Sequence, residues 1–196
     1  AGIWTGKVTH QDGNSDNVTA LISPEGAVHI IGQYAESYIT TQNVEASDGR
    51  ASGKIRAYEY NYLSTGLYEI NYSSTKMDIY IEFGSGTYTR KIVLTYDPQS
   101  EHIASFEAIT GNYASANYQN SLAVDSDGFV TGSDVYGCQY EGNIKPIDRS
   151  VNVYAITLNV SSCSIHPDTY EGLATYGKMF QEGDIFNDFP DEEVLI

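Results

Sequence analysis

Positive charge is the scarcest commodity in this chain. Ten Lys and Arg stand against 26 Asp and Glu, a formal net charge of −16 over 196 residues. A surface of that sign repels phosphate backbones and anionic headgroups alike, which argues against nucleic-acid binding and against attachment to an anionic membrane. Its physical consequence is solubility. Long apolar runs are missing too: no stretch approaches the ~18 residues of a membrane-spanning helix, so no membrane insertion is expected. No basic, apolar leader is visible, and the chain reads as a mature one. Helical periodicity is also lacking, because no long segment repeats its apolar residues every 3.6 positions.

Catalytic signatures are as scarce. There is no Gly-x-Ser-x-Gly elbow and no Cys–His dyad pattern. Ser164, His166 and Asp168 are neighbours in sequence, but a triad is assembled in space, so their proximity supports nothing. With this many acids any carboxylate pair can be chosen, and none is evidence for a glycosidase. His10, His29, His102 and His166 show no ligand spacing, so neither a metal nor a cofactor is expected and the chain reads as no enzyme. Asp125-Ser126-Asp127-Gly128 has the flavour of a calcium loop, yet no Glu closes the twelve-residue spacing. A hairpin turn is the better reading, since Asp-Gly accommodates the positive φ of tight turns.

What the chain does have is strand vocabulary: seventeen tyrosines against two methionines and one tryptophan. Apolar and polar residues alternate with a period of two. Met77, Ile79, Ile81 and Phe83 share one face against Lys76, Asp78, Tyr80 and Glu82; Ile92, Leu94 and Tyr96 alternate with Lys91, Val93 and Thr95. Tyr154, Ile156, Leu158 and Val160 alternate with Ala155, Thr157 and Asn159. These patterns predict Ile79, Ile81, Ile92, Leu94, Leu122, Val124, Ile156 and Leu158 in the core, with Lys76, Asp78 and Lys91 in water. Short strands between turn signals predict an all-β fold, an antiparallel meander that forms a β-barrel or two packed β-units, with little helix.

A weak internal repeat divides the chain. Ala20-Leu21-Ile22-Ser23-Pro24-Glu25-Gly26-Ala27-Val28 is echoed by Leu122-Ala123-Val124-Asp125-Ser126-Asp127-Gly128-Phe129-Val130, and Gly2-Ile3-Trp4 by Gly111-Asn112-Tyr113. The break falls at Asp97-Pro98. The expected organisation is an N-terminal meander over 1–97, a C-terminal meander over 98–180 and a tail over 181–196. Cys138 and Cys163, the only two cysteines, allow one pairing. Both sit at strand ends of one meander, which favours a disulfide over two buried thiols.

Gly111-x-Tyr113, then Leu122-x-Val124-Asp125-x-Asp127-Gly128 running to Gly132-Ser133-Asp134, then Gly137-Cys138-x-Tyr140-x-Gly142, Asn152-Val153-Tyr154 and Cys163 ahead of Tyr170-Glu171-Gly172-Leu173-Ala174 form one constellation. In this it resembles a group of little-characterised secreted proteins and lipoproteins of Gram-negative bacteria, over residues 90–177. The resemblance implies an exported β domain, extracellular or at the cell surface, and no particular activity.

Two further features bear on function. The tail mixes six acids with Ile185, Phe186, Phe189, Val194, Leu195 and Ile196. Those apolar residues favour docking, on its own body or on a neighbouring copy, and make the tail a candidate for building a homo-oligomer or filament. Trp4, Tyr58, Tyr60 and Tyr62 are candidates for stacking on a ligand such as a glycan, although Trp4 better suits a plug at one end of the core. The sequence thus favours a non-enzymatic surface protein acting by interaction or self-assembly, with a glycan- or small-ligand-binding barrel as the alternative.

Overall fold

The computed structural model describes residues 1–32, 37–59, 62–84, 88–114, 119–163, 167–178 and 193–195. The fold is all-β, and the chain divides into two compact units, Ala1–Glu101 and His102–Ile196.

The first unit is a closed antiparallel barrel of eight strands. In chain order these are β1 (Gly2–His10), β2 (Ser15–Ile22), β3 (Val28–Gly32), β4 (Ser37–Ser47), β5 (Arg50–Glu59), β6 (Tyr62–Tyr72), β7 (Lys76–Phe83) and β8 (Tyr88–Tyr96). Each pairs with the next, and β1 returns to β8 with Trp4 opposite Tyr96, Gly6 opposite Leu94 and His10 opposite Arg90. Closure removes the sheet edges, and eight strands leave a bore that side chains alone can fill. They do: Val8, Ala20, Ile30, Ile55, Tyr68, Ile79, Ile81, Ile92 and Leu94 are among the buried residues of one continuous cluster. Lys7, Lys54, Arg56, Glu69 and Lys91 point outward and are exposed. Apolar-in and charged-out is the inverse of a barrel that faces lipid. Just beyond β8 a single 3-10 turn (Pro98–Glu101) locks onto the first strand. There the buried Ser100 Oγ accepts from the Ile3 amide at 2.7 Å and donates to the Ile3 carbonyl at 3.0 Å.

The second unit is an open antiparallel sheet of six strands in the order β14-β13-β12-β11-β10-β9. Its strands are β9 (Gly111–Ala114), β10 (Asn120–Val124), β11 (Phe129–Asp134), β12 (Gln139–Pro146), β13 (Tyr154–Ser161) and β14 (Asp168–Ala174). One short helix, α1 (Phe106–Ile109), covers one end of its apolar face. Ser105 caps α1, its Oγ accepting from the Ala108 amide at 3.2 Å. The phenol of the fully buried Tyr154 accepts from the Ser105 amide at 3.0 Å and donates to the Ser105 carbonyl at 3.2 Å, tying the helix to β13. A separate two-stranded ladder joins β15 (Tyr176–Lys178) to β16 (Glu193–Leu195).

Of the expected core, Ile79, Ile81, Ile92, Leu94 and Val124 are buried. Leu122, Ile156 and Leu158 are half-buried and pack against the buried cluster. Lys76 and Lys91 are exposed as expected, whereas Asp78 is half-buried beside Lys76, whose ammonium stands 3.3 Å from its carboxylate.

The echoed hairpins share one turn. Ser23 N donates to Ala27 O and Gly26 N to Ser23 O; Asp125 N donates to Phe129 O and Gly128 N to Asp125 O. The same closure recurs at His10–Asn14 and at Asp134–Cys138. In all four the fourth residue is a glycine at positive φ, between +81° and +88°, a conformation that costs other L-residues energy. Three-residue hairpins use it to end in a bulge that matches strand twist.

Candidate functional site

Asp134 organises the stapled end of the second sheet. Its carboxylate accepts from the amides of Tyr136 (2.9 Å) and Cys138 (3.0 Å) and from the Tyr140 hydroxyl (2.8 Å). That holds Cys138 at the head of β12, where it is disulfide-bonded to Cys163 just past β13, with the Cα atoms 4.4 Å apart. Desolvation pushes the Asp134 carboxyl up, but the bonds from Tyr140, Cys138 and Tyr136 outweigh it and leave the group below its ordinary value. Tyr140 is pushed up to about 12, by desolvation first and then by the anion it serves. Asp125 plays the same part in its own turn: Oδ1 accepts from Asp127 N at 2.9 Å and Phe129 N at 2.8 Å. The Asp-x-Asp-Gly stretch is therefore a hairpin turn, and among the described residues no cluster of His, Cys, Asp or Glu could hold a metal ion.

The stacking candidates do not come together. Trp4 lies inside the barrel, 7 % exposed, edge-on to Tyr96 with ring centroids 5.3 Å apart. It sits near the start of β1, at the barrel end bearing the Ser23–Ala27 turn. Tyr58 is on the outer wall near the other end, 43 % exposed. It leans on Tyr38 at 6.2 Å, which in turn faces the His29 ring at 6.0 Å and hydrogen-bonds its Nδ1 through the phenol. Tyr60 lies outside the described residues, and only the backbone of Tyr62 is described, paired with Glu59. Trp4 is thus a core plug, on the opposite side of the barrel wall from Tyr58.

Burial against this aromatic wall lowers the His29 pKa. The unfolded chain takes up a proton on that ring at a higher pH than the folded barrel does, so stability falls as pH drops through the unfolded value of about 6.5. His29→Gln keeps a partner for Tyr38 and removes the titration. Its denaturation midpoint is expected to fall less than that of the parent between roughly pH 7.5 and 5.5. Equal slopes for the two proteins in paired urea titrations would show that His29 is not a source of acid lability.

Within the tail, Val194 and Leu195 belong to β16, which pairs antiparallel with β15 of the same chain: Tyr176 opposite Leu195, Gly177 opposite Val194, Lys178 opposite Glu193. Phe186, Phe189 and Ile196 lie outside the described residues.

Two features of the second unit were missed in the sequence. One is the edge strand β14, whose Asp168, Thr169, Tyr170 and Glu171 are all exposed and which carries no second partner strand among the described residues. The other is a shallow trough of about 310 Å³ on the polar face, lined by Thr110, Gly111, Asn112, Ala123, Val124, Asp125, Phe129 and Thr131. Phe129 was its available signal: Val130 takes the inward register, so the neighbouring aromatic must stand on the wet face. No known protein family, curated protein or solved structure matches this chain.

Proposed function

We propose that this chain is an exported β-protein, extracellular or at the cell surface, that acts by non-covalent association with further copies of itself or another macromolecule, and not by catalysis. The open edge at β14 carries this reading. A row of amide and carbonyl groups at a sheet edge is a template for an added strand, which proteins otherwise cover, close or blunt. The barrel half of this molecule closes its edges; the sheet half, among the described residues, ends on β14, whose Asp168, Thr169 and Glu171 are exposed. The disulfide favours an oxidising compartment. A tail ladder of only three residue pairs is short enough to exchange between copies, and head-to-tail exchange propagates a filament. Ligand capture inside the barrel gains no support, since its interior is occupied by side chains.

Sedimentation velocity and electron imaging across a wide concentration range test the reading, with full-length chain beside a variant lacking residues 183–196. The full-length protein is expected to form concentration-dependent species, and a truncated chain that stays folded but monomeric assigns the contact to the tail. Assembly that survives truncation points to β14 instead of the tail. Full-length protein that is monomeric at every concentration overturns self-assembly.

A further inference from the structure

We infer that the trough over Ala123 binds a neutral sugar residue, stacked on Phe129. This is independent of the assembly reading and uses a different face of the molecule.

The floor is built by register. Asn112, Ala123 and Thr131 lie directly opposite one another across β9, β10 and β11, on the face turned away from α1. The middle side chain is a single methyl, so the row dips between its two polar flanks. The hairpin at Asp125–Phe129 walls one end with an aromatic ring, 38 % exposed on a mostly polar face. A volume of about 310 Å³ falls at the small end of ligand sites, which run from roughly 300 to 1,000 Å³.

Its chemistry is a ring of unspent polar groups around an apolar wall. The Asn112 amide and the Thr131 hydroxyl make no hydrogen bond among the described residues. Asp125 commits Oδ1 to the turn and leaves Oδ2 unused. Thr110 spends its hydroxyl hydrogen on the Phe106 carbonyl at 2.8 Å, so its oxygen is left to accept. Donor, acceptor and anion are thereby fixed on rigid strands or a locked turn, which reduces the ordering cost of binding. A pyranose matches this set: its C–H face packs on an aromatic ring while its hydroxyls both donate and accept.

Charge narrows the class. Residues 102–196 contain fourteen acids against three basic residues, and Asp125 lines the trough itself. A uronate or a sulfated sugar would bring a like charge against that carboxylate.

The test is a two-dimensional amide NMR titration of the full chain with the methyl glycosides of glucose, galactose, mannose and N-acetylglucosamine at millimolar concentrations, with glucuronate as the charged control. Saturable shifts confined to Asn112, Ala123, Asp125, Phe129 and Thr131 are expected with at least one neutral sugar. Phe129→Ala removes the stacking wall and should weaken that binding about tenfold, which corresponds to about 1.4 kcal/mol. Ala123→Leu fills the floor without touching a polar group and should abolish it. Both variants sit on the wet face, and their retained amide spectra separate loss of binding from loss of fold. No saturable shift with any of the four sugars, shifts located elsewhere, or unchanged affinity in both variants overturns the site. Glucuronate binding as tightly as glucose overturns the restriction to neutral sugars.

Discussion

Replacing Cys138 and Cys163 together by alanine is expected to lower the stability of the second unit by about 3 kcal/mol, the chain-entropy value for a closed loop of this size. The cross-link spans 25 residues and ties the Asp134–Cys138 turn to the end of β13. β12 and β13 already share eight residue pairs in between, so the native ladder survives without the bond. What is lost is the constraint on the unfolded chain. The unit is sensitive to that loss because its core is small among the described residues, where Ala104, Ile109, Val124, Val130, Ile144, Tyr154 and Ala174 make up the buried cluster. Small cores commonly depend on a staple. The measurement is unusually clean, because the single tryptophan, Trp4, belongs to the barrel. In urea, far-ultraviolet circular dichroism follows both units and Trp4 fluorescence follows the barrel alone. With m-values of about 1–3 kcal/mol/M, a loss of this size moves a midpoint by roughly 1–3 M. The dichroism transition should split, one part moving down while the Trp4 midpoint stays. A midpoint that moves in neither signal would mean that the bond constrains nothing the strands do not already hold.

Legibility in the sequence followed the range of the interactions involved. Alternation placed Met77, Ile79 and Ile81 on one face of β7, and Ile92 and Leu94 on one face of β8, because burial in a strand is written residue by residue. The hairpin echo was legible for the same reason: a turn with glycine at its fourth position is local chemistry, and Gly26 and Gly128 adopt nearly the same φ, +86° and +81°. Closure was not. Whether a meander curls until its first strand meets its last depends on partners about ninety residues apart, such as Gly6 and Leu94. The two halves share their turns and yet one closes and the other stays open. The core prediction was met only in part at Ile156 and Leu158, which pack against the buried cluster but stay half-buried, because how fully a strand face is sealed depends on elements outside the strand. Trp4 was legible as a core plug, whereas only the strand register puts Tyr58 on the outer wall. Phe129 marked the wall of the trough, but its floor was beyond reach because it needs three strands at once.

Gly6→Ala is expected to destabilise the barrel by about 3 kcal/mol, at the top of the usual range for over-packing. A β-carbon at residue 6 would lie 1.9 Å from the Val93 carbonyl oxygen and 2.9 Å from Leu94 Cα. Both obstacles are backbone of β8, so no side chain can swing aside. Relief requires moving β1 away from β8, and this ladder is the seam that closes the barrel. Opening it would expose two strand edges and admit water to the side chains of Val8, Ile92 and Leu94, now 5 % exposed or less. The proper comparison is Gly13→Ala in the Asn14 turn. That glycine has φ +87° and nothing within 4 Å of the added carbon, so its substitution carries conformational strain alone, about 1 kcal/mol. Urea unfolding followed by Trp4 fluorescence reads both variants, since Trp4 lies two residues from the seam glycine and packs on Tyr96 of β8. The Gly6 variant should unfold at a much lower midpoint and its native emission should shift to longer wavelength as water reaches the indole. The Gly13 variant should lose about a third as much stability with no change in emission. Equal losses in the two would show that β1 and β8 have room for a side chain at residue 6, and that the barrel does not depend on a bare backbone at its seam.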